Sequence, residues 1–354
     1  MHLDVARHFM PVHFIKKYID MMAMLKMNFF HWHLVDDQGW RIEIKQYPRL
    51  TEIGSKRNET LTGHGGVKPF EYDGIPHEGF YTQDEIKEIV AYATLRGITI
   101  IPEIEMPGHA RSAIAAYPEL GVTGEKIGVW TRWGVSPYIY NVEESTFEFL
   151  EGVLDEVTEL FPGKYIHIGG DEAVKDQWKS SERVHQRMKE LGIEDEAGLQ
   201  SYFIKRIAKY LRTKGKIIVG WDEILEGGAP QDAVVTFWRS WVTPSPALEA
   251  AQQGHKVIYT PASLCYFDHY QTTLKDSIEP MAIGGCTPVD SLYIKNPVKN
   301  NLPHDLKNMV WGAQGNVWTE YMKTPNHVEH MVMPRMAALS EVLWTDEKKQ
   351  DFED

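Results

Sequence analysis

The chain has 354 residues, 43% hydrophobic and 25% charged, with a formal net charge of −13. That is enough apolar content for a large core. The acidity, with no basic stripe to offset it, argues against a nucleic-acid partner, and no window approaches the ~20 apolar residues of a membrane span.

The chain opens "MHLDVARHF", which already reads as a strand with no signal peptide ahead of it. A Met placed directly against a first strand suggests a chain trimmed at its start. Localisation is therefore not readable here, and the expectation for the parent protein is secretion or the periplasm. Strand-like runs follow at 3–7, 28–34, 98–105, 165–170, 216–221, 233–238, 256–260 and 308–315. Most are apolar on consecutive positions rather than alternating, as in parallel strands covered on both faces.

Helical patterns lie between them. "PVHFIKKYIDMMAMLKM" opens with Pro11 and sets Val12, Ile15, Ile19, Met22 and Leu25 on one face. "TQDEIKEIVAYATLRG" carries a capping box, Thr82 with Glu85, and stops at Gly97. Further helices end near Pro162-Gly163, Gly215 and Gly254. Eight strands alternating with helices predict one α/β unit, a closed (β/α)8 TIM barrel over 1–354. An open doubly wound sheet would want a glycine-rich phosphate turn after the first strand; here that turn reads "RHFMP". The long connections, roughly 35–80, 106–140 and 261–307, are the expected site-shaping loops. Cys265 and Cys286 share the last of these, in no metal-type spacing; they read as two thiols, with a single disulfide left open.

In such barrels the active site forms where the strands end. Those ends carry Arg7, His31, His33, Asp36, Glu103, Glu105, Asp171, Glu172, Trp221, Trp238, Trp318 and Glu320. Tryptophan faces stack on the apolar face of a pyranose, while acids and arginine bond its hydroxyls, so the mixture suits a sugar. In "YIHIGGDEA" two glycines precede the acid pair and would let a ligand approach the backbone. Past the strand end both acids can turn inward. Two close carboxylates resist joint ionisation, which leaves one holding a proton near neutral pH beside an anionic partner.

Taken in order, "LDVARHF", "HWHLVDDQGWR", "PEIEMPGHA", "HIGGDEA", "GWDEI" and "VWTE" resemble the catalytic barrel of family 20 glycoside hydrolases, the β-N-acetylhexosaminidases. The resemblance spans roughly 2–345. It implies an oligosaccharide or glycoconjugate substrate, and neither a metal nor another cofactor. It also implies a retaining, substrate-assisted reaction in which the sugar's own 2-acetamido oxygen is the nucleophile, through an oxazolinium intermediate. Carried over residue by residue, Glu172 would be the general acid/base and Asp171 would hold the acetamido N–H. Tyr266 would fix the acetamido oxygen, and Trp221, Trp238 and Trp318 would box its methyl group. Arg7 would grip O3 and O4, Glu320 and Asp268 would take O4 and O6, and Asp36 with His109 would orient Glu172. Glu103 and Asp222 would brace neighbours.

The chain departs from the family pattern in three places. Glu105 stands where many relatives carry aspartate. No tryptophan lies between 242 and 310 to support a leaving group, a task open to Trp130 and Trp133. The smaller α/β domain usually found ahead of the barrel is absent from this chain. Competing readings are release of a disaccharide, a binding relic without activity, an H-x-H metal site at His31 and His33, and a conventional glycosidase with Asp222 or Glu223 as nucleophile. Gluco or galacto preference and oligomeric state are not legible.

Overall fold

The computed structural model describes residues 1–274, 279–298 and 302–353; part of the predicted connection 261–307 lies outside them. Eight strands form one sheet in chain order: β1 (His2–Asp4), β2 (Phe29–His33), β3 (Thr99–Glu103), β4 (Tyr165–His167), β5 (Ile217–Trp221), β6 (Val234–Phe237), β7 (Lys256–Tyr259) and β8 (Val310–Ala313). Every neighbouring pair is parallel. Each strand must therefore be reached by a crossover, and helices supply it. The sheet curls: the N–H groups of His2 and Asp4 donate to the carbonyls of Gly315 and Val317, both at 3.0 Å, just beyond β8.

The strands are shorter than the apolar runs that announced them. The run 165–170 yields only Tyr165–His167, because Gly169 and Gly170 turn out of the strand at φ 68° and 93°. Alternation explains the rest of the pattern. In β2, Phe30 and Trp32 pack outward, with Phe30 5.7 Å from Tyr18 and Trp32 4.8 Å from Tyr81. His31 and His33 face the interior, where His31 stacks on His167 at 4.3 Å. Both faces are covered, as expected, but the inside is lined by histidines around one glutamate rather than by branched aliphatics.

The outer layer includes α1 (Val12–Met24), α2 (Gln83–Thr94), α3 (Glu144–Leu160), α4 (Glu196–Thr213), α5 (Pro246–Gln252) and α6 (Arg335–Trp344). In α1 the buried stripe is Phe14, Ile15, Tyr18, Ile19 and Met22, and Pro11 is the N-cap rather than the first helical residue. The capping box of α2 forms: Thr82 accepts from the N–H of Glu85, and Glu85 accepts from the N–H of Thr82 at 2.8 Å. A cap of this kind contributes about 1 kcal/mol. Both cysteines are free, Cys265 buried and Cys286 half-buried. No helix among the described residues is long and apolar enough to cross a membrane.

Candidate active site

The segments leaving the C-terminal ends of the strands converge on a cavity of about 180 Å3. All eleven candidate residues line it: Arg7, Asp36, His109, Asp171, Glu172, Trp221, Trp238, Tyr266, Asp268, Trp318 and Glu320. One further side chain, Ile283, joins them. It lies seventeen residues past Tyr266 in a run with no distinguishing pattern, so only the fold could reveal it.

One wall is ionic. His109 is held at φ 48°, and its Nδ1 lies 3.0 Å from Asp36 and 3.3 Å from Asp37. Its Nε2 faces Asp171 at 3.6 Å and Glu172 at 3.4 Å. Burial opposes its charge, but Asp36 holds the imidazole well above its ordinary pKa. Arg7 pairs with Asp36 at 2.9 Å and donates from Nε to Gln38 at 2.9 Å. It therefore has both a structural ion pair and a face on the cavity. Asp37 anchors the surrounding loops, accepting from the N–H groups of Arg111 and Ser136. Asp37 and Gln38 escaped selection, although they stand inside "VDDQGW" beside Asp36.

The two glycines have a different role from the one expected. A Cβ on Gly169 would sit 1.7 Å from Glu105 Oε2, and one on Gly170 would sit 2.6 Å from Ile224. Their bareness makes room for protein rather than ligand, and both have positive φ. The turn they allow throws Asp171 and Glu172 inward. Glu172 itself sits at φ 44°, a costly conformation for a residue with a side chain and one that clusters at functional sites. Glu105 rests against Gly169, with His33 3.9 Å away, and no hydrogen bond joins it to His109 among the described residues.

Burial pushes Asp171 up to about 7, with His109 opposing and Glu172 adding to the rise. Burial would also raise Glu172, but its bond to His109 keeps it below the usual range. Of the two, Asp171 is pushed toward its neutral form and Glu172 toward its anionic one.

The other wall is aromatic. Trp221 and Trp318 lie 5.7 Å apart at 44°, and Trp238 stacks on Tyr266 at 6.2 Å and 19°. Acids behind this wall occupy the indole N–H groups: Trp221 donates to Glu103 at 2.8 Å, and Trp238 donates to Glu223 at 2.9 Å. Asp222 accepts from the N–H of Trp238 at 2.9 Å. Glu103 and Asp222 thus brace the box as expected, and Glu223, a candidate nucleophile on the conventional-glycosidase alternative, is a third brace. Trp221 is itself buried, with His167 5.0 Å and His31 5.7 Å from its ring, and Trp318 packs on His2 at 4.3 Å. At the far end Asp268 is buried with neither carboxylate oxygen bonded, and burial followed by the charge of Glu320 raises its pKa well above the ordinary value. Unbonded acceptors at a cavity wall are positions for ligand hydroxyls.

His31 and His33 do not reach the cavity. His33 lies between Glu103 and Asp36, bonded to both. Burial opposes its charge, yet these partners raise it to about 10. In Glu103, burial is outweighed by His167, His33 and His31, which hold it well below the carboxylate range. This cluster is a charged plug under the site floor.

Residues 1–347 match glycosyl hydrolase family 20, catalytic domain. The chain belongs to this family. It is 48% identical to a beta-hexosaminidase of Porphyromonas gingivalis over 354 residues, 99% of this chain and 43% of that protein. It is 38% identical to one of Vibrio furnissii, covering 96% of this chain and 55% of that protein. The chain thus spans about half the length of these curated relatives. Among solved structures, a beta-N-acetylhexosaminidase superposes with TM-score 0.89 at 31% identity, covering 99% of this chain and 72% of the other. The exo beta-N-acetylglucosaminidase of Vibrio harveyi in complex with N-acetylglucosamine gives 0.83 at 35%, covering 99% and 55%.

Proposed function

We propose that this domain is a retaining exo-β-N-acetylhexosaminidase, removing terminal β-linked GlcNAc or GalNAc from glycans by substrate-assisted catalysis. The observation that carries it is the pairing of walls. A carboxylate pair touching one imidazole faces an aromatic box in which the indole N–H groups of Trp221 and Trp238 are already bonded. Such a box takes a methyl group, and the acids beside it take an N–H and a leaving oxygen.

On this reading the acetamido group enters the box between Trp221, Trp238 and Trp318, with Tyr266 donating to its oxygen. Its N–H donates to Asp171, which favours the anionic form of that acid. The bound sugar covers the Glu172 carboxyl, and Glu172 is the member of the pair that carries the proton in the complex. Glu172 protonates the leaving oxygen as the acetamido oxygen attacks the anomeric carbon from below. Anionic Asp171 steadies the positive charge that spreads into the amide. Holding nucleophile and carbon in one ring makes the attack intramolecular, an advantage of up to ~7–11 kcal/mol. Glu172 then takes a proton from water, which opens the oxazolinium with net retention. Arg7, Asp268 and Glu320 grip the hydroxyls. We read the two bonds from β1 to Gly315 and Val317 as the seam of a closed barrel, which would hold the two walls at fixed separation.

The test compares a chromogenic N-acetyl-β-glucosaminide with the plain β-glucoside. Hydrolysis of the first alone, with the β-anomer as first product by NMR, is the expected result. Equal rates on both would overturn substrate assistance, because the glucoside has no acetamido group to attack with.

A further inference from the structure

A second cleft opens beside the cavity. It measures about 290 Å3 and is lined by Lys68, Phe70, Trp130, Arg132 and Trp133. The Arg132 guanidinium lies 5.3 Å from the ring centre of Phe70 and 5.2 Å from that of Trp130. Lys68 Nζ lies 5.7 Å over Phe70. Neither cation forms an ion pair among the described residues. In a chain of net charge −13, two unneutralised cations on aromatic plates are a local exception.

Hydrogen bonds join the walls of the cleft and of the catalytic cavity. Gln38 accepts from Arg7 on one side and donates to the carbonyl of Arg132 at 3.0 Å on the other. The N–H of Trp130 donates to the carbonyl of Asp37 at 3.0 Å, and Asp37 touches His109, the partner of Glu172. Trp133 lies 6.3 Å from Tyr321, the neighbour of Glu320. Through Asp37 and His109 the cleft's wall is tied to Glu172, the acid that on the reading above faces the leaving oxygen.

We propose that this cleft binds the leaving-side sugar and selects one that carries an anionic group, a carboxylate or a sulfate. Aromatic faces take the apolar side of a pyranose, while the lysine and the guanidinium make charge-assisted bonds to the anion, the strong class of hydrogen bond. A neutral sugar would use the plates alone. The proposal rests on the hexosaminidase reading above.

Three kinds of substrate test it: nitrophenyl N-acetyl-β-glucosaminide, terminal β-GlcNAc on a glucuronate, and terminal β-GlcNAc on a 6-sulfated galactose. Each acidic substrate is paired with its uncharged counterpart. We expect kcat/KM about tenfold higher on at least one acidic member than on its neutral twin, the low end of one charge-assisted bond. The two pairs show whether carboxylate or sulfate is the group selected. The preference should shrink as salt rises. It should disappear in Lys68→Gln/Arg132→Gln and fall in the single exposed change Lys68→Glu, with nitrophenyl hydrolysis unchanged in both. Equal kcat/KM within both pairs, or a preference that survives both variants, would overturn the proposal while leaving the hexosaminidase reading intact. Absence of nitrophenyl hydrolysis in the wild type would overturn both.

Discussion

The first four strands and the last four build unlike halves of one cavity. Segments after β1 to β4 supply Arg7, Asp36, His109, Asp171 and Glu172, a wall of charges that touch one another. The end of β5 and the segments after β6 to β8 supply Trp221, Trp238, Tyr266, Asp268, Trp318 and Glu320, a wall of shape with two acids at its end. In the first half a side chain is placed by ion pairs, so its position and its protonation state are set together. In the second half placement comes from ring contacts and from acids at the back of the indoles. On the proposed mechanism a single sugar uses both halves: one to move a proton, the other to hold the acetamido group still while it attacks.

If the halves divide labour in this way, mutations in the first should lower kcat and mutations in the second should mainly raise KM. The largest effects belong to Glu172→Gln and Asp171→Asn. Loss of a positioned acid costs about 10²–10⁴ in rate, and loss of a preorganised electrostatic partner about 10²–10³. A leaving group of low pKa separates them, since it needs no proton. It should restore much of the activity of Glu172→Gln and little of that of Asp171→Asn. Equal rescue of the two variants would dissolve the assignment.

The next effect is on the aromatic side. Trp318→Ala removes a plate that also lies 5.1 Å from the Arg7 guanidinium. Aromatic contacts of this kind contribute about 1 kcal/mol beyond their buried area, so KM should rise about tenfold with a smaller change in kcat. A fall in kcat with KM unmoved would place Trp318 among the proton-handling groups instead.

A third experiment probes the plug beneath the first half by pH. His33 is raised from 6.5 to about 10 in the folded protein: burial opposes the charge, but Glu103 and Asp36 outweigh it. A folded-state pKa above the unfolded one contributes stability that is full below about 6.5 and is lost as pH rises through 10. The Tm gap between wild type and His33→Gln should therefore be widest near pH 6 and close toward pH 10. A gap that widens with pH would mean that His33 is neutral in the fold.

How much of this the sequence showed differs between the two halves for physical reasons. Strand ends are readable because an apolar run must stop where a charged or aromatic side chain turns to the mouth, and short motifs such as "HIGGDEA" and "VWTE" mark those stops. All eleven chosen residues come from such stops or from the loops after them, and all eleven line the cavity. Supports are harder to see. Asp37 and Gln38 act through backbone N–H and carbonyl groups of loops distant in sequence, which no local pattern encodes. The interior histidines sit on alternate positions of an apolar-looking run, so "HWH" reads equally as strand, metal pair or plug. For the glycines the sequence showed where the turn falls, but the atoms they avoid belong to Glu105 and Ile224, the former sixty-four residues upstream.

The smallest expected effect makes the sharpest test of the comparison. Glu223 is buried, and its Oε2 accepts from the Trp238 indole at 2.9 Å. Burial, followed by the charges of Asp222 and Asp171, pushes its carboxyl well above the ordinary carboxylate range and toward the neutral form. Glutamine is close to isosteric with that form, and its carbonyl oxygen can accept the same bond. Glu223→Gln should change kcat/KM by less than about threefold, well under the loss of one hydrogen bond to a charged group. Glu223→Leu leaves the indole N–H without its acceptor at the half-buried edge of the box, which costs ~1–3 kcal/mol, and it should act through KM. Were Glu223 the covalent nucleophile of a conventional glycosidase, glutamine would abolish turnover as completely as leucine. A thousandfold loss in Glu223→Gln would therefore place the reacting group in the second half and end the division of labour between the two walls.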